Sequence, residues 1–439
     1  MRLIDAFRLN KKDRIAFTGA GGKTTALFCI AREFEGPVLI STTTHLGAWQ
    51  SQLADKHWII KDDHDFDHRR AEKITGVTLV TGAADQEERL SGFDNEKIQF
   101  LLEMADKNSC PLLIEADGAR TKPLKAPELY EPVIPDFVTH VIVIAGMSGY
   151  QQRLDENVVH RPGLYAKLSG LSLGEKISLD AMKLVLSSQN GGKKGIPAGA
   201  KAFLLLNQAD DPLLQSVAGR LARMLRTDFE KIAIASLQTN SVYACFHKIA
   251  GIVLAAGGAS RLQVPKQLLQ WCGESFVSSV AKTAIAAGLD PVIVVLGAYH
   301  EAVKKVLDKM PVHFVNNLHW KEGQSTSIKV GIKALPEGVE GAIFLLADQP
   351  QLSVSLVKSL MESAWTSSKP VITPLIDGKR GNPVYFSSET FDELSGITGD
   401  QGGRAIFSKY PLQYLDWFDE SQKLDVDTLD DLARLRKFE

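Results

Sequence analysis

Short apolar runs of strand length alternate along the chain with longer segments in which apolar residues recur every three or four positions. This alternation predicts strands separated by helices, the α/β class. Because the runs are apolar throughout, we expect parallel sheets covered by helices on both faces. In the first half the predicted strands are residues 14–19, 37–42, 76–82, 111–118, 139–146 and 200–208. In the second half they are residues 248–257, 290–297, 312–317, 341–348 and 370–376.

The pattern restarts near residue 248, where a new strand leads into a second glycine-rich loop. A chain of 439 residues is long for one hydrophobic core. The sequence therefore predicts two doubly wound α/β domains, residues 1–247 and 248–439.

Composition narrows the class of protein and its partners. Hydrophobic residues make up 44% and charged residues 23%, and the formal net charge is −2. These values are typical of a globular protein and predict neither a nucleic-acid partner nor a membrane partner. No apolar run approaches a membrane span, and the first residues lack an apolar signal core, so we expect a cytoplasmic location. The cysteines, which we expect to be reduced core or helix residues, lack the spacing of a metal site: Cys29, Cys110, Cys245 and Cys272.

The first glycine-rich loop, TGAGGKTT at residues 18–25, follows a predicted strand and precedes a predicted helix. Glycines, a helix N-terminus and a lysine together suit a phosphate group. In the usual phosphate loop four residues separate a Gly from Gly-Lys-[Ser/Thr], which would place that Gly at position 17, but position 17 is Phe. The spacing instead resembles the shortened variant of the Mur ligases; the alternative is a plain glycine-rich turn with a chance lysine. The predicted nucleotide-binding residues are Gly19, Gly21, Gly22, Lys23, Thr24 and Thr25.

Two carboxylates end the strand LLIEADG and lie two residues apart, so both should point to the same side. Glu115 and Asp117, with the Thr24 hydroxyl, could complete the shell of a Mg²⁺ ion. The alternative is that a carboxylate caps the next turn. The loop that follows is basic and could hold an anionic substrate or simply be solvated: Arg120, Lys122 and Lys125.

A further strand ends in Asn207-Gln208-Ala209-Asp210. This resembles the Asn-Lys-x-Asp element with which GTPases bind guanine, with Gln in place of Lys. Asp210 would accept hydrogen bonds from guanine, although Asn and Asp are also common in turns. The first domain is therefore expected to bind ATP or GTP.

Together the segments TGAGGKTT, STTTHLG, LLIEADGARTKPLKAP and LLNQAD resemble the YqeC-type selenium cofactor biosynthesis family over about residues 1–240. The resemblance implies a nucleotide-binding domain that takes part in maturing a molybdenum hydroxylase, including selenium-dependent ones. It leaves the chemistry and substrate of this domain open.

The second glycine-rich loop is LAAGGASRLQVPK, residues 254–266. Its small residues let a ligand approach the backbone, and its cations, Arg261 and Lys266, are spaced to bracket a triphosphate. It resembles the L-A-[AG]-G-x-x-x-R-x-G-x-x-K signature of nucleotidyltransferases, in particular the MocA-type molybdenum cofactor cytidylyltransferases. Gln263 replaces the family's Gly. The loop residues expected to bind nucleotide are Leu254, Ala255, Ala256, Gly257 and Gly258.

The same resemblance extends over about residues 249–437 and implies further site residues. Ser325 matches an element near the base and ribose, and Asp348 and Asp427 match the metal-binding carboxylates. Asp425 stands in the same closing element as Asp427. The residues that match the family's acceptor-binding elements are Asn382, Asp400 and Arg404. Asn382 replaces the family's His. The family's guanylyl-transferring relatives have Gly where this chain has Ala256, which favours CTP over GTP.

The resemblance implies that a terminal phosphate of molybdopterin attacks the α-phosphate of CTP and releases pyrophosphate. Mg²⁺ between the two aspartates would polarise the α-phosphate, and Arg261 and Lys266 would stabilise the leaving pyrophosphate.

Two alternatives are open. The C-terminal half could be a sugar-phosphate or polyol-phosphate nucleotidyltransferase, since one fold serves many acceptors. The N-terminal half could be a nucleotide-gated chaperone that binds the apo-hydroxylase without converting a small molecule. The oligomeric state and any exchange of intermediates between the domains are not determined by the sequence.

Overall fold

The computed structural model of the protein describes residues 1–70, 72–258, 264–424, 426 and 428–438. The chain divides into two compact units, Met1–Phe246 and His247–Glu439. Both are α/β.

The strands and helices of the first unit alternate along the chain. Its strands are β1 (Arg14–Gly19), β2 (Val38–Thr42), β3 (His45–Gly47), β4 (Lys56–Ile59), β5 (Val77–Thr81), β6 (Arg89–Ser91), β7 (Leu112–Glu115), β8 (Leu124–Lys125), β9 (His140–Gly146), β10 (Val159–His160), β11 (Lys201–Asn207) and β12 (Lys231–Ser236). Its helices are α1 (Leu3–Phe7), α2 (Lys23–Glu33), α3 (Asp63–Arg69), α4 (Asn95–Asn108), α5 (Pro162–Ser169), α6 (Leu179–Ser187) and α7 (Pro212–Leu225).

The main sheet of this unit is parallel and has the order β12-β11-β9-β1-β7-β2-β5-β4. Strands β1, β7 and β9 are buried along almost their whole length, so their runs are apolar rather than alternating. Strand β1 lies between β7 and β9, and helix α2 follows it directly. The carboxyl ends of these three strands therefore form one edge, the usual position of a ligand site in such sheets.

The second unit begins within a long strand that also contains the division between the units. The strands are β13 (Ser241–Ala255), β14 (Gln270–Trp271), β15 (Glu274–Ser275), β16 (Val292–Leu296), β17 (His313–Asn316), β18 (Val339–Leu346), β19 (Val371–Ile376), β20 (Lys379–Arg380), β21 (Val384–Ser387) and β22 (Leu412–Trp417). The helices are α8 (Phe276–Ala287), α9 (His300–Leu307), α10 (Gln324–Lys333), α11 (Val354–Thr366), α12 (Phe391–Gly396) and α13 (Leu429–Leu435).

In this unit the sheet has the order β17-β16-β13-β18-β21-β19-β22. All neighbouring pairs are parallel except those of β21, which runs antiparallel to β18 and β19. Strand β13 lies between β16 and β18, and the second glycine-rich loop leaves its carboxyl end. This is the second edge of the molecule at which parallel strands converge on a glycine-rich loop.

Every predicted strand is present, and the expectation of parallel sheets is confirmed for the main sheets apart from β21 and the two-residue β20. The small pairs β3–β6 and β14–β15 are also antiparallel. Among the strands of four or more residues, those not predicted from the sequence are β4, β12, β21 and β22. Strands β4 and β22 are only partly buried and lie at edges of their sheets, so they lack a continuous apolar run. Among the described residues, no helix is both long enough and apolar enough to cross a membrane.

No two of the four cysteines form a disulfide bond. Cys110 and Cys245 are buried and Cys29 is half-buried on α2. Cys272 is exposed in the turn between β14 and β15, so the expectation of a core or helix position is wrong for this residue.

The first glycine-rich loop packs against the end of β9 more closely than any side chain allows. A Cβ on Gly19 would lie 2.2 Å from the Ile144 carbonyl oxygen, and one on Gly21 would lie 2.4 Å from the Gly146 nitrogen. Both glycines also have a positive φ, 92° and 86°. Close approach of the protein's own backbone therefore accounts for these two glycines.

We predict that Gly19→Ala destabilises the protein by about 3 kcal/mol or more, because a strained φ and a steric clash act together. The control is Gly36→Ala. Gly36 has a φ of 111° but nothing within 4 Å of the added methyl, so it should lose only about 1–2 kcal/mol. Urea unfolding of the full chain measures both losses, and equal losses would contradict the close packing.

Candidate functional site

The amides of the first glycine-rich loop are largely engaged by protein acceptors. Gly19 N donates to Asp117 Oδ2 at 3.1 Å, Ala20 N to the Ile144 carbonyl at 2.8 Å, and Gly21 N to the Lys122 carbonyl at 2.9 Å. Gly22, with φ 113°, precedes the 11-residue helix α2 and makes no side-chain cap hydrogen bond. An anion would therefore meet the N-terminus of α2 rather than the first three amides of the loop.

Lys23 is folded into the protein. Its side chain is only 4% exposed, and Nζ donates to the Gly19 carbonyl at 2.8 Å. The same Nζ lies 3.2 Å from Asp117 Oδ1 and 4.0 Å from Glu115 Oε1. The prediction that Glu115 and Asp117 face the same side is confirmed, since both approach one ammonium group.

Glu115 forms a buried pair with the first turn of α2. The Thr24 hydroxyl donates to Glu115 Oε2 at 2.7 Å. Burial raises the pKa of Glu115 above its ordinary value, and the charge of Lys23 and the Thr24 hydrogen bond oppose that rise. Thr25 is exposed on the helix surface.

Behind this pair lies a chain of alternating charges. Lys125 Nζ donates to Asp117 Oδ2 at 2.8 Å, to the Gly118 carbonyl at 2.6 Å and to Glu131 Oε2 at 3.0 Å. Arg161 in turn donates to Glu131 through two hydrogen bonds, one of them 3.0 Å long. Burial by itself would raise the pKa of Glu131, but the bonds and charges of Arg161 and Lys125 prevail and hold that pKa at about 2.

Lys125 fits neither interpretation of its loop, which was expected to hold an anionic substrate or to be solvated. Its side chain is 3% exposed and is bonded to protein groups. Arg120 is exposed, and Lys122 holds the first loop through its backbone carbonyl. Glu131 and Arg161 were not identified from the sequence, because they belong to no motif and Arg161 lies 30 residues beyond Glu131.

Asn207 bridges two parts of the first unit. Its Nδ2 donates to the Gly21 carbonyl at 2.7 Å, and its Oδ1 accepts from Leu237 N at 3.0 Å. Both ends of the amide thus hold the loop in place, while Asp210 is exposed. The guanine-binding interpretation of this pair stays a prediction from the sequence.

The second unit contains a cavity of about 1050 Å³ at the carboxyl edge of its sheet. Lys266 and Asp348 lie on its wall, and Asp348 follows β18 by two residues. The predicted residues that line it are Leu254, Ala256, Gly257, Gly258, Lys266, Asp348 and Asp400. Ala255 is buried and does not line the cavity, and Arg261, Gln263, Asp425 and Asp427 lie outside the described residues.

Two residues hold the start of the second loop, and no sequence signal pointed to either. Gln267 is buried, and its Nε2 donates to the carbonyls of Ala255 at 3.2 Å and Gly257 at 2.7 Å. Trp320 lies so close to Gly258 that a Cβ there would be 2.8 Å from the indole ring. The second loop is thus positioned by a side-chain amide and an aromatic ring.

A second cavity of about 250 Å³ adjoins the first, since Leu254, Gln324 and Leu346 line both. Asn382 and Arg404 line the smaller cavity, whereas Asp400 lines the larger one. The predicted acceptor residues are thus divided between two connected spaces.

Ser325 is buried near the start of α10, and neither cavity has it in its lining. Its hydroxyl has no hydrogen-bond partner among the described residues. In the part of the chain that the structure describes, no group of three or more His, Cys, Asp or Glu side chains is arranged to hold a metal ion. Of the two predicted metal-binding aspartates, only Asp348 is among the described residues.

Comparison with known proteins separates the two units by family. The family model "YqeC protein" matches residues 15–163, and the model "MobA-like NTP transferase domain" matches residues 251–414. "Uncharacterized protein YqeC" of Escherichia coli (strain K12) is 28% identical over 251 residues, which cover 55% of this chain and 94% of that protein.

Two curated relatives match the C-terminal half. "Nicotine blue oxidoreductase" of Paenarthrobacter nicotinovorans is 31% identical over 197 residues, 43% of this chain and 96% of that protein. "Purine catabolism protein PucB" of Bacillus subtilis (strain 168) is 32% identical over 198 residues, 43% of this chain and 95% of that protein. Among solved structures, Rv0371c from Mycobacterium tuberculosis H37Rv is 28% identical with a TM-score of 0.40, covering 43% of this chain and 98% of that one.

The family model and the curated relatives define the C-terminal half as a nucleotidyltransferase. The chain belongs to the MobA-like NTP transferase family through residues 251–414 and carries a YqeC domain in front of it. The suspected fusion of these two families is confirmed.

We predict that Glu131 contributes pH-dependent stability. The pKa of Glu131 is about 2 in the folded protein, whereas an unfolded Glu titrates near about 4.3. The contribution is therefore present above pH ~4.3 and is lost as the pH falls toward 2. Glu131→Gln should lose about 1–3 kcal/mol at pH 7, since solvent screens part of the pair, and the difference from wild type should shrink at pH 3.

Urea unfolding of the full chain at both pH values measures this difference. The control is Glu128→Gln, because Glu128 lies 4.0 Å from Arg161 Nε and is more exposed. It should cost less than about 0.5 kcal/mol at either pH. If the stability lost in Glu131→Gln were the same at both pH values, the contribution of Glu131 would not come from its ion pairs.

Proposed function

We propose that the C-terminal unit is a molybdenum cofactor cytidylyltransferase. The observation that carries the proposal is the cavity of about 1050 Å³, on whose wall the second loop, Lys266 and Asp348 converge. A volume of this order suits a nucleoside triphosphate and part of an acceptor. CTP is proposed as the nucleotide and molybdopterin as the acceptor because the second loop resembles that of the molybdenum cofactor cytidylyltransferases.

In the proposed reaction, an oxygen of the terminal phosphate of molybdopterin attacks the α-phosphorus of CTP. A new phosphorus–oxygen bond forms, and the bond from the α-phosphorus to the bridging oxygen breaks. Pyrophosphate leaves with that electron pair, and the product is the cytosine dinucleotide cofactor. Both reactants are anions, so Lys266 acts by neutralising charge and holding the triphosphate in line.

The reaction class calls for a divalent cation, and the residues fit Mg²⁺ in part. Asp348 lines the cavity and offers the hard oxygen ligand that Mg²⁺ prefers. Asp427 would be its partner. Bound there, Mg²⁺ would neutralise charge on the triphosphate.

We further propose that the N-terminal unit binds ATP or GTP with a shortened phosphate loop. Support comes from the N-terminus of α2, from Lys23 and from the pair of Thr24 and Glu115, whose oxygens lie 2.7 Å apart. Those two side chains fit a Mg²⁺ ion. Asp117 fits as an indirect partner only, because its oxygens face lysines and an amide. The unit would assist maturation of a molybdenum hydroxylase, including selenium-dependent ones, in the cytoplasm.

A second candidate for the C-terminal unit comes from the name of one relative, an oxidoreductase that is 31% identical. Pyrophosphate release with CTP separates the two activities, because an oxidation–reduction step releases none. The choice of acceptor is tested in the same assay by comparing molybdopterin with sugar phosphates.

We predict that Asp348→Ala lowers kcat for cytidylyl transfer by about 100-fold or more and largely spares CTP binding, because the group acts on charge that develops in the transition state. Asp400→Ala, on the same cavity wall, should instead raise KM for the acceptor. Pyrophosphate release and CTP titration measure both variants. Near-normal turnover of Asp348→Ala would contradict its role.

We predict that the C-terminal unit prefers CTP to GTP and that Ala256→Gly relaxes this preference. A methyl group in the cavity wall leaves room for a pyrimidine and opposes a larger purine, an overpacking effect of about 1–3 kcal/mol. Ala255→Gly is the matched control, since that methyl does not line the cavity. The ratio of kcat/KM for CTP and GTP is the measurement, and a wild-type preference for GTP would contradict the cytidylyl assignment.

We predict that Lys23→Ala abolishes nucleotide binding by the N-terminal unit and leaves pyrophosphate release from CTP intact, because the two loops belong to different units. Lys11→Ala, which changes an exposed lysine of the same unit, should alter neither property. Equilibrium titration with Mg²⁺ and ATP or GTP measures binding. Loss of cytidylyl transfer in Lys23→Ala would show that the units do not act independently.

A further inference from the structure

A second buried lysine, Lys125, pairs with the same carboxylate as Lys23, that of Asp117. Lys23 Nζ lies 3.2 Å from Asp117 Oδ1, and Lys125 Nζ lies 2.8 Å from Asp117 Oδ2. All three side chains are at most 4% exposed. Each oxygen of one buried carboxylate therefore faces its own ammonium group.

The two lysines differ in what else holds them. Besides its acidic neighbours, Lys23 has one hydrogen bond to its own loop, at the Gly19 carbonyl. Lys125 is held on its far side by the Gly118 carbonyl at 2.6 Å and by Glu131 at 3.0 Å. Lys23 lies in the first turn of the helix that would meet a phosphate, whereas Lys125 lies on β8. Lys23 is therefore the lysine placed to move toward an anion, and Lys125 is the one that stays.

Such a movement changes the charge around Asp117. If Lys23 turned toward a phosphate, Asp117 would lose the cation at Oδ1. A buried carboxylate without a cation is strongly disfavoured, so a site with one lysine would hold Lys23 back and weaken the binding of phosphate. A second cation already bonded to Oδ2 removes most of that cost.

We propose that Lys125 is a positioning residue of the N-terminal nucleotide site, which keeps Asp117 paired with a cation and in place so that Lys23 can transfer to the phosphates. This inference rests on the proposed nucleotide binding of that unit. Asp117 also accepts from Gly19 N at 3.1 Å, so Lys125 fixes the start of the loop through Asp117. Glu131 and Arg161 complete the chain and balance the charge of Lys125.

The experiment is equilibrium titration of the full chain with MgATP and with MgGTP at neutral pH. The binding that Lys23→Ala removes defines the N-terminal site. Lys125→Met should weaken that binding by about 10-fold or more. In this variant, movement of Lys23 to the phosphates would leave the buried carboxylate of Asp117 without any cation. Lys125→Arg should restore affinity to within about 3-fold of wild type, because it returns the charge.

Rescue by Lys125→Arg separates this role from a purely structural one, because the affinity should follow the positive charge at position 125 rather than the packing of its alkyl stem. Glu131→Gln is the matched control. It disturbs the same buried chain but leaves the contact between Lys125 and Asp117, so its affinity should stay within about twofold of wild type.

The double variant Lys125→Met/Glu131→Gln removes one charge of each sign and guards against a folding defect in the single variant. It should bind as weakly as Lys125→Met. Affinity of Lys125→Met within twofold of wild type, or an equal loss in Glu131→Gln, would overturn the inference. If wild type binds no more nucleotide than Lys23→Ala, the proposed nucleotide site itself is wrong and the inference falls with it.

Discussion

The buried carboxylate of Asp117 is the interaction on which the first unit depends. It holds two lysines and the Gly19 amide at once, with distances of 3.2, 2.8 and 3.1 Å. A carboxylate removed from water needs such partners, because its desolvation is otherwise too costly. The carboxyl edge of the sheet, the first turn of α2 and the segment that carries Lys125 are therefore held by one group.

The two glycine-rich loops look alike in the sequence but are built differently. In the first loop, Gly19 and Gly21 are required because the backbone of β9 lies against them. In the second loop, Gly258 faces the indole of Trp320, and Gln267 holds the carbonyls at its start. A glycine-rich segment after a strand thus indicates close backbone approach, and the partner in that approach is either protein or ligand.

The family matches say more about the function of the C-terminal unit than about that of the N-terminal unit. The C-terminal half belongs to a family of defined reaction class, and its larger cavity brings Lys266 and Asp348 to one space. The N-terminal half matches a family model whose E. coli relative has no named activity. The proposed nucleotide site of that half depends on the arrangement of Lys23, Thr24 and their buried carboxylates.

The sequence by itself determined the α/β class, the position of nearly every buried strand and the two loops, because continuous apolar runs and glycine-rich turns are local signals. It also predicted that Glu115 and Asp117 share one side, since residues two apart on a strand do so. Only the tertiary structure brought Arg161 to Glu131, because that contact joins residues 30 positions apart. Glu131 lies six residues from Lys125, but the loop between them has no repeating pattern that would predict the contact. The amide of Asn207 is a similar case, since a motif does not tell whether a polar side chain holds its own protein or a ligand. Edge strands such as β22 were missed for a related reason: their residues are apolar only where a neighbouring element covers them.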